Sequence, residues 1–192
     1  MSADLPDELL DVDDESTDAD EPVERTTDPP EQYEDEEVRR FVVFYIGERP
    51  FAVSVEAVKT IVKLSERTRV PRTSPAIDGI MDLRGEITAV IEPRFHFPVE
   101  SDPVPVEHQR IVVFDRAADK QGVGIRVDGV LGVELFPLRQ IVPGEHADES
   151  ATDAGHPMVT AVIRRTEGDE VTERIGLLDI KALIEASGQA TA

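Results

Sequence analysis

The chain has 192 residues, no cysteine and a formal net charge of −21, with 41 acidic against 20 basic side chains. So much negative charge repels phosphate backbones and anionic lipid head groups, so we expect neither nucleic acid nor a membrane surface as a partner. The lack of cysteine excludes disulfides, a thiolate nucleophile and a cysteine-ligated zinc site. Apolar runs fall far short of the roughly 20 residues of a membrane helix, and the N-terminus lacks a secretion signal, which predicts a cytoplasmic protein without membrane insertion.

The acidic residues are concentrated at the N-terminus, where residues 1–38 hold 17 Asp and Glu and a single base, Arg25. Such a segment cannot bury enough apolar surface to offset its ordering entropy, so we predict a disordered acidic tail over 1–38. A solvating appendage is the simpler role for this tail, and specific docking is the alternative. Arginine outnumbers lysine 16 to 4. Together with the acidity, this bias indicates a salt-loving cytoplasm, such as that of a halophilic archaeon.

From position 41 onward, short β-branched and aromatic runs alternate with turn residues. The first two runs flank a Gly/Pro-containing turn and predict a hairpin. In chain order, strands are predicted over residues 41–46, 51–55, 86–92, 109–115, 122–136, 158–165 and 173–180. Strands that recur about every dozen residues, with few helices, favour an all-β fold of small barrels over an α/β sheet.

Two short helices are also predicted. Residues 56–62 place three apolar residues at the i, i+3, i+4 spacing of an amphipathic helix. Residues 178–186 predict a closing helix, with Asp179 as its N-cap and Leu183 facing the core. The acidic and polar segment 144–156 is predicted to be an exposed loop.

The segment 122–136 is rich in glycine but does not predict nucleotide binding. Its spacing departs from both G-x-G-x-x-G and G-x-x-x-x-G-K-[ST], and its apolar residues are typical of a strand rather than of the helix that those motifs require. Glycines inside strands usually mark bulges, tight bends or close backbone approach.

A search for chemistry predicts no catalytic residue, metal site or cofactor. The histidines, His96, His108, His146 and His156, show no metal-ligand spacing, and no serine lies in a nucleophile elbow. One side chain stands out, because Arg84 lies between Leu83 and Gly85 at the end of a strand pattern. It is either a surface arginine at a turn or a partner-binding anchor, since arginine offers five donors and is enriched at binding hot spots.

Three segments together resemble the CheW family of chemotaxis coupling proteins: FVVFYIGERPFAVSVEAVKTI (41–61), VPRTSPAIDGIMDLRGEITAVIEPR (70–94) and GVGIRVDGVLGV (122–133). The block G-x-x-x-L-R-G at 79–85 is the most specific element. The resemblance implies two small five-stranded SH3-like barrels packed around a common apolar core. It also implies a scaffold without catalysis, which binds the regulatory domain of the histidine kinase CheA and the cytoplasmic tip of chemoreceptors, and which is recruited to membrane receptor arrays through these partners.

The resemblance assigns partner-binding roles by position. The expected partner-binding residues are Val58, Thr60, Ile61, Gly79, Arg84, Gly85, Val127, Asp128, Val130 and Val133. Thr60 replaces a glutamate that is frequent in the family, which weakens the case for a charge contact to the kinase at this position.

We expect three parts along the chain: a tail (1–38), a CheW-like domain (39–186) and a flexible C-terminus (187–192). The two barrel subdomains of the domain are expected over about 40–93 and 107–180, and strand exchange between them is possible. The length leaves no room for the additional domains of CheV-type proteins or of CheA itself, which predicts a stand-alone coupler. The alternative is a stand-alone β-barrel module that regulates another kinase or binds a small ligand.

Overall fold

The computed structural model describes residues 36–97, 99–115, 121–147, 155–168 and 170–189. Most of the predicted tail, and residues 148–154 of the predicted loop, lie outside this part of the chain. The described residues form one α-helix, α1 (Ile180–Gln189), and eleven strands. The strands are β1 (Val38–Ile46), β2 (Arg49–Ser54), β3 (Val58–Lys63), β4 (Ile77–Leu83), β5 (Glu86–Ile91), β6 (Arg110–Phe114), β7 (Gly122–Val127), β8 (Gly129–Pro137), β9 (Ile141–Pro143), β10 (Val159–Glu167) and β11 (Glu170–Leu178).

The strands form two sheets, and each sheet draws on both halves of the chain. Sheet A has six strands in the order β8-β1-β2-β11-β10-β9, and sheet B has five in the order β3-β6-β7-β5-β4. Neighbours are antiparallel except for β2 with β11 and β5 with β7. The predicted subdomain boundaries, about 40–93 and 107–180, do not match the two sheets. β1 and β2 belong to sheet A, whereas β3, β4 and β5 belong to sheet B.

Three apolar clusters follow the alternation of side chains along the strands. In β1, Val42 and Phe44 point into a core shared by both sheets, whereas Phe41 and Val43 point into the interior of sheet A. β6 divides its side chains in the same way between the shared core and the interior of sheet B. Strands buried on both faces have continuous apolar sequences, which explains the runs at these positions. The predicted architecture of two small barrels around a common core is confirmed.

The segment that follows β3 closes sheet B into a barrel. Thr68 exchanges two backbone hydrogen bonds with Ile80 of β4, with N···O distances of 2.8 and 2.9 Å. A Cβ at Gly79, the neighbour of Ile80, would lie 2.9 Å from the Thr68 carbonyl oxygen. Glycine at position 79 therefore permits the close approach of two backbones that closes the barrel.

The helix predicted over residues 56–62 is wrong. The chain there forms a 3-10 turn (Val55–Ala57) followed by β3, which pairs with β6. Two physical reasons favour the strand. β-branched side chains lose rotamer freedom in a helix and pack well on a pleated strand. A helix of seven residues would also gain few hydrogen bonds against its nucleation cost, whereas β6 offers a complete ladder.

The glycines of β7 mark close packing between neighbouring strands, which at Gly124 includes the close backbone approach that was one of the predicted roles. A Cβ at Gly124 would lie 2.7 Å from Cγ2 of Ile111, and a Cβ at Gly122 would lie 2.6 Å from Oγ1 of Thr88. β7 is the middle strand of sheet B, between β6 and β5. These glycines therefore serve strand packing.

α1 closes the fold as predicted. Asp179 caps it by accepting a hydrogen bond from the Ala182 N–H at 2.9 Å, and Leu183 is fully buried. The flexible C-terminus predicted from position 187 is wrong for its first residues, because α1 continues to Gln189 and Ser187 is buried. At the other end, the predicted tail overlaps β1 at Val38.

Ser187 also anchors α1 to the connection after β5. Its hydroxyl donates to the Leu183 carbonyl oxygen at 2.7 Å and lies 2.8 Å from Nε2 of His96. Burial lowers the pKa of His96 below its ordinary value, and the neighbouring His156 lowers it further. His96 therefore favours its neutral form in the folded chain.

We predict that the free energy of unfolding falls as the pH drops through about 6.5, the ordinary pKa of histidine. Below that pH the unfolded chain binds a proton at His96, whereas the folded chain does so only at a lower pH, so acid favours unfolding. The variant His96→Gln should lose this part of the pH dependence. Urea unfolding of both chains at about pH 7.5 and about pH 5.5 measures the difference. Equal losses of stability in parent and variant would contradict it.

Candidate functional site: a groove between two edge strands

Two edge strands flank the shared core. In the described part of the chain, β3 pairs with β6 alone and β8 with β1 alone. Val58 of β3 and Val130 of β8 are half-buried and pack against the shared core. Farther along the same strands, Ile61 is 37% exposed and Val133 is 55% exposed. The two edges therefore present an apolar rim beside the shared core.

A cavity of about 550 Å³ lies where β8 approaches the residues that precede β3. Leu135 of β8 lines one side and Ser54, Val55 and Glu56 line another, while Arg39 and Arg40 of β1 add positive charge beside the Glu56 carboxylate. We call this cavity and its apolar rim the edge groove. The rim is the set of apolar residues on the core-facing sides of β3 and β8, namely Val58, Ile61, Val130, Val133 and Leu135, and Leu135 also lines the cavity.

The turn between β4 and β5 holds Arg84 in a strained backbone conformation. Arg84 and Gly85 both have positive φ, at 57° and 88°, as in a type I′ hairpin turn. Asp82 Oδ1 fixes the turn by accepting a hydrogen bond from the Gly85 N–H at 2.6 Å. A non-glycine residue in this region costs about 1–3 kcal/mol, and such strain is concentrated at functional sites. The exposed arginine is thus held at the tip of a rigid hairpin.

An ion pair between Lys59 of β3 and Glu86 of β5 places this hairpin beside β3. The exposed Thr60 follows Lys59 on the same strand. The fold therefore brings together the β3 residues and the Arg84 turn, which are about 25 positions apart in sequence. Gly79 is buried and contributes through barrel closure, without a surface of its own.

The structure corrects the prediction for two residues, Val127 and Asp128, which serve the interior. The Val127 side chain is 2% exposed and belongs to the shared core, so it has no surface to offer a partner. The Asp128 carboxylate is 8% exposed, pairs with Arg94 at 2.7 Å and accepts a hydrogen bond from the Gly47 N–H at 2.6 Å. The chain turns at Asp128 between β7 and β8, and only the residues beyond this turn reach the sheet edge.

Three further residues of β8 and of the groove lining escaped the sequence analysis. Leu131 is 51% exposed and lies at a β-bulge in the pairing of β8 with β1. A bulge shifts the side-chain alternation by one residue, so a period-two pattern cannot place Leu131. Leu135 lies two positions beyond Val133, and the alternation of β8 could have indicated it. Ser54 is polar and carries no comparable signal.

The groove has the character of a surface that binds a polypeptide. Its rim is apolar and arginines lie at its border, a composition typical of protein interfaces. Within the described ranges, no three His, Asp or Glu side chains are grouped so that they could hold a metal ion. No helix in the described part of the chain is long and apolar enough to cross a membrane.

We predict that Asp128→Ala destabilises the fold by about 3 kcal/mol, because it leaves the half-buried Arg94 guanidinium and Gly47 N–H without this acceptor. The matched control is Asp115→Ala, an exposed aspartate at the end of β6, which should change stability by less than about 0.5 kcal/mol. Urea denaturation measures both. If the two variants unfold at the same midpoint, the structural role of Asp128 is refuted.

Comparisons with known proteins agree with this architecture. Residues 40–188 match the family model of the CheW-like domain. The chemotaxis protein CheW of Bacillus subtilis is 34% identical over 109 residues, 57% of this chain and 70% of that protein. CheW of Klebsiella aerogenes is 29% identical over 116 residues, 60% of this chain and 68% of that protein. The crystal structure of scaffolding protein TtCheW from Thermoanaerobacter tengcongensis has the same fold, with a TM-score of 0.64 and 24% identity, over 80% of this chain and 97% of that one. Because the family model covers residues 40–188, the chain belongs to the family of CheW-like domains.

Proposed function

We propose that this chain is a cytoplasmic adaptor that couples chemoreceptors to the histidine kinase CheA. The edge groove carries the proposal, because it combines two open strand edges with exposed apolar side chains on a rigid pair of barrels. Open edges and exposed apolar patches are the features through which folded domains bind other polypeptides. Membership of the CheW family supports the choice of partners.

The groove suits the helical tip of a receptor. A helix presents apolar side chains at i, i+3 and i+4, and such a face packs into an apolar groove. Ile61 on β3 and Val133 on β8 would contact that face. Arg84, at the tip of its hairpin, adds a guanidinium fork that can bind a carboxylate with two hydrogen bonds.

Apolar burial should supply most of the affinity. Concentrated salt screens exposed charge pairs, whereas it leaves apolar burial unaffected or strengthens it. A chain with a net charge of −21 is therefore expected to retain its partners in molar salt.

Co-purification tests the proposal. The tagged full-length chain, recovered from its native cells in molar salt, should retain a CheA-type kinase and chemoreceptors. Recovery of a different kinase without receptors would favour the alternative of a separate regulatory module. Recovery of neither would contradict coupling.

Arg84→Asn separates binding from folding. Asparagine followed by glycine is preferred in type I′ turns, so the variant should be at least as stable as the parent chain. Loss of the guanidinium should nevertheless weaken binding to receptor tip or kinase tenfold or more, about 1.4 kcal/mol. Thermal melting and a titration with each purified partner measure the two effects.

The matched control is Arg72→Asn. Arg72 is the other non-glycine residue with positive φ in the described chain, at 64°, and it is exposed in the turn before β4. This control should bind both partners as the parent does. If Arg84→Asn also binds normally, Arg84 is an ordinary surface arginine and the contact lies on the apolar rim alone.

A further inference from the structure

β8 supplies one wall of the edge groove, but backbone contacts hold it only loosely. In the described part of the chain it pairs with β1 alone, and that pairing shifts register between Val43 and Phe44. Gly129 and Gly132 lie within the strand, and Gly132 has a φ of 135°. Bulges interrupt the ladder of hydrogen bonds, and glycines offer no side chain to pack. Side chains are therefore needed to fix the direction of β8.

The side chains that anchor β8 lie at intervals along the strand. Val130 packs against the shared core near its start, and Phe136 is buried inside sheet A near its end. Val133 and Leu135 of the groove rim lie between these anchors. Glu134 separates the two rim residues, and the alternation of the strand directs its side chain toward the interior of sheet A, as at Phe136. The groove wall is thus backed by Glu134.

An arginine from the far side of sheet A binds Glu134. Nη2 of Arg165, on β10, donates to Glu134 Oε2 at 2.6 Å. The sheet order places β1, β2 and β11 between β8 and β10, so this contact crosses the barrel interior. The Arg165 guanidinium also lies over the ring of Phe136, with Cζ 5.9 Å from the ring centroid. Arg165 therefore contacts two residues of β8.

Glu173 of β11 holds the same guanidinium from the other side. It is the cross-strand partner of Arg165, and its Oε2 atom lies 2.6 Å from Nη1. The side chains of Arg165, Glu134 and Glu173 are between 27% and 32% exposed, and partly buried pairs are screened by salt less than exposed ones. One cation thus lies between two carboxylates, which would repel each other in its absence.

We propose that Arg165 is a positioning residue for the edge groove, which fixes the wall formed by Val133 and Leu135 by holding Glu134 from inside the barrel. This role rests on the proposed function, because it concerns partner binding by a residue that lies on the opposite side of β8 from the rim. A wall held in place loses less conformational entropy when a partner binds. Release of β8 should therefore weaken binding although every rim side chain is retained.

Arg165→Gln tests this role, with Arg67→Gln as the matched control. Glutamine still donates hydrogen bonds but lacks the charge and the planar fork of arginine. Arg67 pairs with Asp78 of β4 at 2.6 Å and is 23% exposed, so it forms an equally short ion pair in sheet B. In titrations with purified receptor tip, the full-length Arg165→Gln chain should bind at least tenfold more weakly than the parent. The control should bind as the parent does, and urea unfolding compares the stability of the two variants.

A double-mutant cycle shows whether Arg165 acts through Glu134. Glu134→Gln alone should weaken binding about tenfold, and the double variant should also lose about tenfold, whereas independent effects would give about a hundredfold loss. A hundredfold loss would overturn the proposal. Parental binding by Arg165→Gln, or an equal loss in Arg67→Gln, would do the same. If Arg165→Gln does not fold, parental binding by Glu134→Gln is the result that counts against it.

Hydrogen exchange of the unbound chains separates this proposal from the proposed function. The β8 amides that are hydrogen-bonded to β1 should exchange at least tenfold faster in Arg165→Gln than in the parent, while those of β7 change little. If the parent binds neither receptor tip nor kinase, the proposed function fails, and fast exchange in β8 would still support the positioning of β8 by Arg165. Unchanged exchange in β8 would overturn the proposal whatever the binding result.

Discussion

The apolar core shared by the two sheets is the constraint on which the rest of this structure depends. β1 and β6 each bury one face in that core and the other face inside their own barrel. A strand buried on both faces cannot slip by one residue without exchanging two complete sets of side chains, so its register is fixed. The fixed register of these strands in turn determines where each sheet ends, and the edge groove lies at two of those ends.

Polar contacts then hold the edges in place. The Asp128 carboxylate joins the link between β7 and β8 to the β1–β2 turn through Gly47 and to the connection after β5 through Arg94. A buried, satisfied carboxylate of this kind contributes mainly specificity of position, since its desolvation offsets much of its attraction. β8 is therefore presented at a defined angle to the shared core. Binding to such a preorganised surface loses less conformational entropy than binding to a mobile one.

Polar contacts also fix the position of the Arg84 hairpin. Two consecutive residues with positive φ, held by the Asp82 side chain, give a turn with little freedom, and the ion pair between Lys59 and Glu86 fixes it beside β3. An arginine here costs backbone strain that glycine or asparagine would avoid. An interaction made by the guanidinium, rather than the turn itself, would offset this backbone strain.

Sequence patterns predicted the local structure correctly where a single physical requirement determined it. The doubly buried strands, the N-cap at Asp179 and the close packing of Gly124 could all be inferred from sequence, because burial, capping and lack of a Cβ each leave a distinct signal. The pattern failed over residues 56–62, where the apolar spacing fits a helix, whereas the β-branched side chains and the hydrogen-bonding edge of β6 favour a strand.

The sequence by itself determined an all-β fold, and its resemblance to a family indicated the common core and the partner-binding segments. Tertiary structure alone decided which residues of those segments face outward. Val127 and Val133 belong to one glycine-rich run of similar composition, yet one is buried and the other exposed, because the turn at Asp128 moves the chain from the middle of sheet B to the edge of sheet A. Composition cannot encode that difference, since it depends on which strands lie on either side of each residue in the folded sheets.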